Sequence, residues 1–255
     1  MRRHSSLPAA IAILLVSGLS AVFAQAPASS KIWLGKHAEI ENFLRTAKVV
    51  GEEEIKVGVT RPTRVLLEPG GPVKAFAFSK VHGRHLGFWD SYRADIAAYE
   101  VDKLLQLDMV PPVVERRHKG DLGRASMWVE DVRMWNIKEK PPVPPDQAAF
   151  DKQVIRMKMF DNFIGNTDRN QGNLLLDPQF NLILIDHTRA FTADNKLPIK
   201  MTRYDRELWE RMLAITEDQL KTAIGKWVMS GQIKDVFKRR DVMAKEIATL
   251  GTLHP

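Results

Sequence analysis

Three oxygen-bearing side chains, those of Asp168, Asn173 and Asp186, are spaced so that they can act on one ligand. Asp168 and Asn173 lie five residues apart in the turn-rich stretch Gly165-Asn-Thr-Asp-Arg-Asn-Gln-Gly-Asn173. Two short apolar runs follow, Leu174 to Asp177 and Leu182 to Ile185, around the turn Pro178 to Asn181. Folded as an antiparallel hairpin, Asp177 faces Leu182 across a four-residue loop, and the same register sets Asn173 opposite Asp186. An amide oxygen and a carboxylate held together by strands suit a hard cation such as Mg²⁺ or Mn²⁺. Such an ion takes one or two protein oxygens and completes its shell with nucleotide phosphates. Asp168 is then placed to accept a hydroxyl proton or to orient an attacking oxygen. The bland reading is an Asn- and Asp-rich turn before a hairpin; the third carboxylate at the open end argues against it.

The rest of the chain must position these groups. A short helix is expected around Glu39 to Ala47. Arg64 to Glu68 and Val73 to Val81 read as a hairpin around Pro69-Gly-Gly-Pro72, with Phe76, Phe78 and Lys80 on one side and Ala75, Ala77 and Ser79 on the other. Residues 91–107 carry apolar side chains at helical spacing, and Pro111-Pro112 stops anything longer. Val113 to Arg117 and Ala125 to Asp131 are further strands, joined by a turn from His118 to Gly123. A proline-rich connection, Pro141 to Pro145, precedes a helix from about Asp146 to Ile164. Helices then cover Arg206 to Leu213, Glu217 to Val228 and Gln232 to Leu250, and the basic run Lys238-Arg239-Arg240 reads as a solvated helix face. Strands with one main helix, then a linker, then helices around one hairpin make an α+β pattern in two lobes.

The 255 residues suffice for one large domain or two lobes. The net charge of +7 favours anionic partners, but no nucleic-acid motif accompanies it. Residues 1–24 read as an export leader: Arg2, Arg3 and His4 are a basic start, Leu7 to Phe23 is apolar, and Ala24 precedes a cleavage point. Cleavage would leave no membrane span and about +5 charges on an exported, periplasmic or secreted chain. The absence of cysteine excludes disulfides and lipid attachment through a cysteine. It also excludes a cysteine-ligated metal, and no Ser-His-Asp order suggests a hydrolase.

The motif residues resemble the atypical kinase superfamily of phosphatidylinositol 3/4-kinases. The likeness is to type II phosphatidylinositol 4-kinases, to secreted Golgi-type kinases of casein-like substrates, and to bacterial exported members. Gly165-Asn-Thr-Asp-Arg-Asn170 looks like their catalytic loop, with the Asp-x-x-x-x-Asn spacing of kinases. Ile185-Asp-His187 looks like the metal-binding triplet that replaces Asp-Phe-Gly. Asp95 to Leu105, running into Met109-Val-Pro-Pro112, is similar to the N-lobe helix and strand. The resemblance spans roughly residues 60 to 245.

It implies a two-lobed protein-kinase-like fold, with an N-lobe over residues 25–135 and a C-lobe over 136–255. It implies ATP with Mg²⁺ or Mn²⁺, Asp168 as base, Asn173 and Asp186 as metal ligands, and phosphoryl transfer to a hydroxyl of a protein, lipid headgroup or sugar. The protein is expected to be a monomer with no nucleic-acid partner. Two departures stand out. The strand position that carries the phosphate-binding lysine in relatives is Ser79, so Lys80, through a bulge, or Lys74 would have to serve. The helix acid that pairs with it is Asp95 rather than Glu. Trp128 would line an adenine pocket or belong to the core, and Arg169 would touch phosphate or brace the loop. A nucleotide-binding module without turnover, and transfer of AMP on the same fold, are the alternatives.

Overall fold

The computed structural model describes residues 29–55, 62–85, 87–135 and 143–250. The expected leader, and Pro141 with Pro142 of the proline-rich connection, lie outside the described residues. Helix α1 (His37–Thr46) comes first, followed by strands β1 (Val49–Glu54), β2 (Thr63–Leu67) and β3 (Ala75–Ser79). A small hairpin, β4 (His82–His85) and β5 (Phe88–Ser91), leads into helix α2 (Tyr92–Leu104). Strands β6 (Val113–His118) and β7 (Asp121–Met127) complete a five-stranded antiparallel sheet in the order β1-β2-β3-β7-β6.

The alternation expected for β3 decides what each face of this sheet does. Phe76, Phe78, Val65, Val114, Ala125 and Met127 bury one face under Ile40 and Leu44 of α1 and under Trp33. Arg116 ties the helix down by donating to the carbonyls of Leu44 and Ala47, both at 2.6 Å. The opposite face carries Ala75, Ala77, Ser79, Arg124 and Ser126, paired across strands as Ala77 with Ser126 and Ser79 with Arg124. Helix α2 packs there: the Tyr92 hydroxyl donates to Glu115 on β6, and Asp95 meets Arg124 on β7. β7 begins earlier than expected. Lys119 and Gly120 both have positive φ, 49° and 88°, which closes a two-residue hairpin turn and lets pairing run to His118 and Asp121.

The second half opens with a two-residue strand, β8 (Arg133–Met134), and helix α3 (Gln147–Ile164). Asp146 caps α3 by accepting from Ala149 N, and Gly165 ends it at φ 65°. A hairpin of β9 (Leu174–Leu176) and β10 (Leu182–Leu184) follows, with β8 alongside β9. Helices α4 (Arg206–Ala214), α5 (Glu217–Ile224) and α6 (Ser230–Leu250) close the chain. Phe160 and Phe163 of α3, Met212, Leu220, Ile233 and Val236 fill the main core, joined by Ile96, Tyr99 and Val101 of α2. The expectation of a solvated Lys238–Arg240 face is corrected at Arg239. That residue is fully buried and donates to the carbonyls of Phe163, Thr192 and Asp194, so it joins the end of α3 to the segment after Asp186. Burial pulls its guanidinium down to about 10.

The hairpin register is also corrected. Leu176 pairs with Leu182 and Leu174 with Leu184, one residue off the expected alignment, so Asn173 does not face Asp186 across the strands. The cause is the Asp177 side chain, whose Oδ1 accepts from Gln179 N and Asn181 N and makes residues 177–181 the loop.

Behind α2, Asp102 is fully buried, and its Oδ1 accepts from Met109 N and Val110 N at 3.1 Å. Burial pushes this carboxyl up from 3.8 to about 7, against those donors; Lys31 pulls it down and Asp108 pushes it up. A raised folded value means that stability falls as pH rises between 3.8 and about 7. Asp102→Asn keeps the acceptor oxygen without the charge. Its stability relative to the parent is expected to improve as pH is raised from 4 to 8. Urea denaturation across that range measures the difference, and a constant offset would contradict the assignment.

Candidate functional site

The site forms where the end of α3, the loop 165–173 and the hairpin β9–β10 come together. Asp161, fully buried on the last turns of α3, is its anchor. Arg169 donates to Asp161 through Nε at 2.8 Å and through Nη2 at 3.0 Å. Its Nη1 donates to the carbonyls of Asn173 (2.9 Å) and Ile185 (3.0 Å). Nη2 also reaches His187 Nε2 at 2.7 Å. Arginine can only donate, so His187 Nε2 accepts and the ring is neutral. Burial, then the charges of Arg169 and Arg124, hold His187 well below its ordinary value. With its side chain 3% exposed, Arg169 directs these donors at the loop and its neighbours and so acts as a brace between them.

The brace replaces the strand pairing that the sequence suggested. Asn173 lies in a 3₁₀ turn, Gln171–Asn173, just before β9. Its carbonyl accepts from Ile185 N at 3.2 Å, one residue short of Asp186. Asp186 itself has φ 56°, a left-handed conformation that aims its side chain away from the strand's alternation. So Arg169 links the backbone of Asn173 to that of Ile185, the residue before Asp186. The Asn173 amide donates to the Asp168 carbonyl at 3.0 Å, which sets the direction of its other atom, the oxygen.

Asp168 is held by its main chain. Asn166 Oδ1 accepts from Asp168 N, Asn166 Nδ2 donates to Asp161, and Asn170 N donates to the Asp168 carbonyl. The carboxylate is left partly exposed and lies 3.4 Å from Arg189 Nη1. Sequence reasoning passed over Arg189 and its neighbours. Arg189 Nε donates to buried Asp90 at 2.9 Å, and its guanidinium lies over the Phe88 ring. The Thr188 hydroxyl is 3.2 Å from Asp90 and 3.0 Å from Asp186, and donates to one of them. Their signal was faint, because Asp90 sits on a short, half-polar strand that the alternation rule does not detect.

The sheet side of the site differs from expectation. Lys80 is exposed and pairs with Asp121 at 2.6 Å. It borders a groove with Glu52, Thr63, Phe78, His118 and Asp121, which none of Asp168, Asn173 or Asp186 borders. Lys74 shares the parity of Phe76 and Phe78, the face turned to α1. Neither lysine is brought to Asp186, because no bulge interrupts β3 between Ala75 and Ser79. Asp95 does arrive. Its Oδ1 accepts from His187 N, its Oδ2 lies 2.5 Å from Arg124 Nε, and burial pushes it up to about 6 against the pull of Arg124. That ion pair is close without being aligned as a hydrogen bond. Glu100, the other acid on α2, pairs with Lys103. Trp128 follows β7 directly, half-buried, with Arg64 stacked over its ring at 4.8 Å.

If Arg169 is the brace, its fork geometry matters more than its charge. Arg169→Lys is expected to destabilise the protein by about 2 kcal/mol, since a single ammonium cannot serve Asp161 and two carbonyls together. Equilibrium denaturation is the check, and a change within experimental error would contradict the brace.

No protein-family model matches the chain, and no curated protein sequence is significantly similar to it. Solved structures do resemble it. The Golgi casein kinase aligns with a TM-score of 0.59 at 12% identity, covering 82% of this chain and 75% of that one. A hydra Fam20 structure with sugar aligns at 0.59 and 13% identity, covering 84% and 88%. The Helicobacter pylori proinflammatory kinase CtkA aligns at 0.56 and 9% identity, covering 83% and 98%. At these identities the likeness is one of architecture, and the chain has the atypical kinase-like fold that these enzymes share.

Proposed function

We propose that the protein is a phosphotransferase that uses ATP with Mg²⁺ or Mn²⁺ and modifies a hydroxyl on a protein, lipid headgroup or sugar. The nucleotide lies between the sheet and the helical half, with lobes over residues 25–135 and 136–255. The observation that carries this reading is the Arg169 brace, which ties Asp161 to the backbone on either side of the hairpin, at Asn173 and Ile185, and spends none of the Asp168, Asn173 or Asp186 side chains on itself. The kinase-like architecture supports it, as does the Golgi casein kinase structure described with Mn and ADP bound.

The donor set fits a hard cation: one amide oxygen and one carboxylate, which leaves the rest of its coordination shell to phosphate oxygens and water. Asn173 and Asp186 would hold the ion, which supplies neutralisation of phosphate charge. Asp168 accepts the acceptor's hydroxyl proton or orients that oxygen in line with the γ-phosphate. The fixed Asp168 main chain holds the carboxylate in place at no cost in reorganisation. Export of the mature, monomeric chain belongs to the same proposal; no helix of the described residues is long and apolar enough to cross a membrane.

One observation favours a binding module without turnover: Arg189 pairs with Asp168 and occupies the base. Two variants separate the readings. Asp186→Ala is expected to abolish the metal-dependent part of ATP binding, measured by calorimetry with and without Mn²⁺. Asp168→Ala is expected to keep that binding and to lower turnover of labelled ATP by about 10²- to 10⁴-fold. Binding without turnover in the parent would favour the module, and metal-independent ATP binding would sink the site.

A further inference from the structure

Resting on the nucleotide reading just given, we propose that Arg124, on β7, is the cation that grips the nucleotide phosphates in place of the lysine that Ser79 lacks. Kinases need a positive group on the inner face of this sheet, paired with an acid on the adjacent helix. Ser79 occupies the last position of β3 on that face, and neither Lys74 nor Lys80 reaches it. The residue directly opposite Ser79 in the sheet is Arg124. Side chains paired this way across antiparallel strands emerge about 5 Å apart on the same face. The charge has moved sideways by one strand.

The partner supports the exchange. Arg124 makes the ion pair with Asp95 on α2, at 2.5 Å, and its side chain is only 8% exposed. An arginine reaches further than a lysine and Asp95 is one methylene shorter than glutamate, so the two changes offset each other along the line between strand and helix. A lysine restored at position 79 beside Arg124 would set two cations against one buried acid, which accounts for a small residue there.

Arg124 also has donors to spare. Nε is the atom that faces Asp95, and among the described residues no acceptor takes a hydrogen bond from its Nη groups. A buried guanidinium with an open pair of Nη donors is suited to bidentate recognition of phosphate. Its position is tied to the metal ligands, because Asp95 also accepts from the backbone of His187, next to Asp186. β7 lies between β3 and β6 and pairs with both, so the arginine's base does not move independently.

Calorimetric titration of the full chain with ATP, ADP and adenosine, in Mn²⁺, tests this. In Arg124→Met, ATP and ADP are expected to bind about 10- to 100-fold more weakly while adenosine is unchanged. The exchange Ser79→Lys/Arg124→Ser is expected to recover most of that loss. Unchanged ATP affinity in Arg124→Met would overturn the inference, and so would equal losses for ATP and adenosine, which would mark Arg124 as structural. If Arg124→Met does not fold, the exchange variant decides: a folded exchange protein without ATP binding overturns the inference. A parent protein that binds neither ATP nor ADP would overturn the nucleotide reading itself, whereas normal parent binding with an insensitive Arg124 removes only this assignment.

Discussion

One buried ion pair, Arg169 with Asp161, holds the candidate site together. A guanidinium taken out of water is costly unless every donor is satisfied, and here it serves a carboxylate, two carbonyls and a neutral imidazole. Those partners come from the end of α3, the turn before β9, the end of β10 and the residue after Asp186. The pair therefore acts as a staple whose geometry the whole site inherits. Asn166 completes it by donating to Asp161 and accepting from Asp168 N.

The sheet half is attached to that staple through one acid. Asp95 bonds the backbone beside Asp186 and pairs with Arg124, so the position of α2 and the state of the site are mechanically linked. The apolar side of α2 belongs to the main core with α3 and α6. A helix shared between the sheet and the helical core is poorly placed to swing freely. On the other side, Arg189 joins Asp90 of the β4–β5 hairpin, which also carries the exposed Phe88 and Trp89, to Asp168.

Much of the fold could be read locally. Helical spacing placed α2, the spans expected for α1, α3 and the three C-terminal helices are largely helical, and Pro69-Gly-Gly-Pro72 announced the β2–β3 hairpin. The strands that escaped notice, β1, β4, β5 and β8, carry mostly exposed, charged or histidine side chains, and none of them has a buried apolar face to announce it. The register of β9–β10 was off by one because Asp177 bonds its own loop, a contact that a count of turn residues cannot reveal. Arg239 looked like a surface charge because its partners, Phe163, Thr192 and Asp194, are remote in sequence.

The division between sequence and tertiary structure follows the range of the interactions. The sequence by itself determined which oxygens are available, Asp168, Asn173 and Asp186, and that a turn and hairpin carry them, because turn chemistry and strand alternation act over a few residues. It also determined that Ser79 takes the strand position where relatives carry lysine, with Lys80 one place beyond. Only the tertiary structure decided how their segments are joined, through Arg169 and the turned backbone at Asp186 rather than by pairing of Asn173 with Asp186. Only it paired Lys80 with Asp121 and set Arg124 against Asp95. The pairing of β3 with β7 joins segments separated by a hairpin, a helix and a strand, and the neighbour of Ser79 is fixed by that pairing alone.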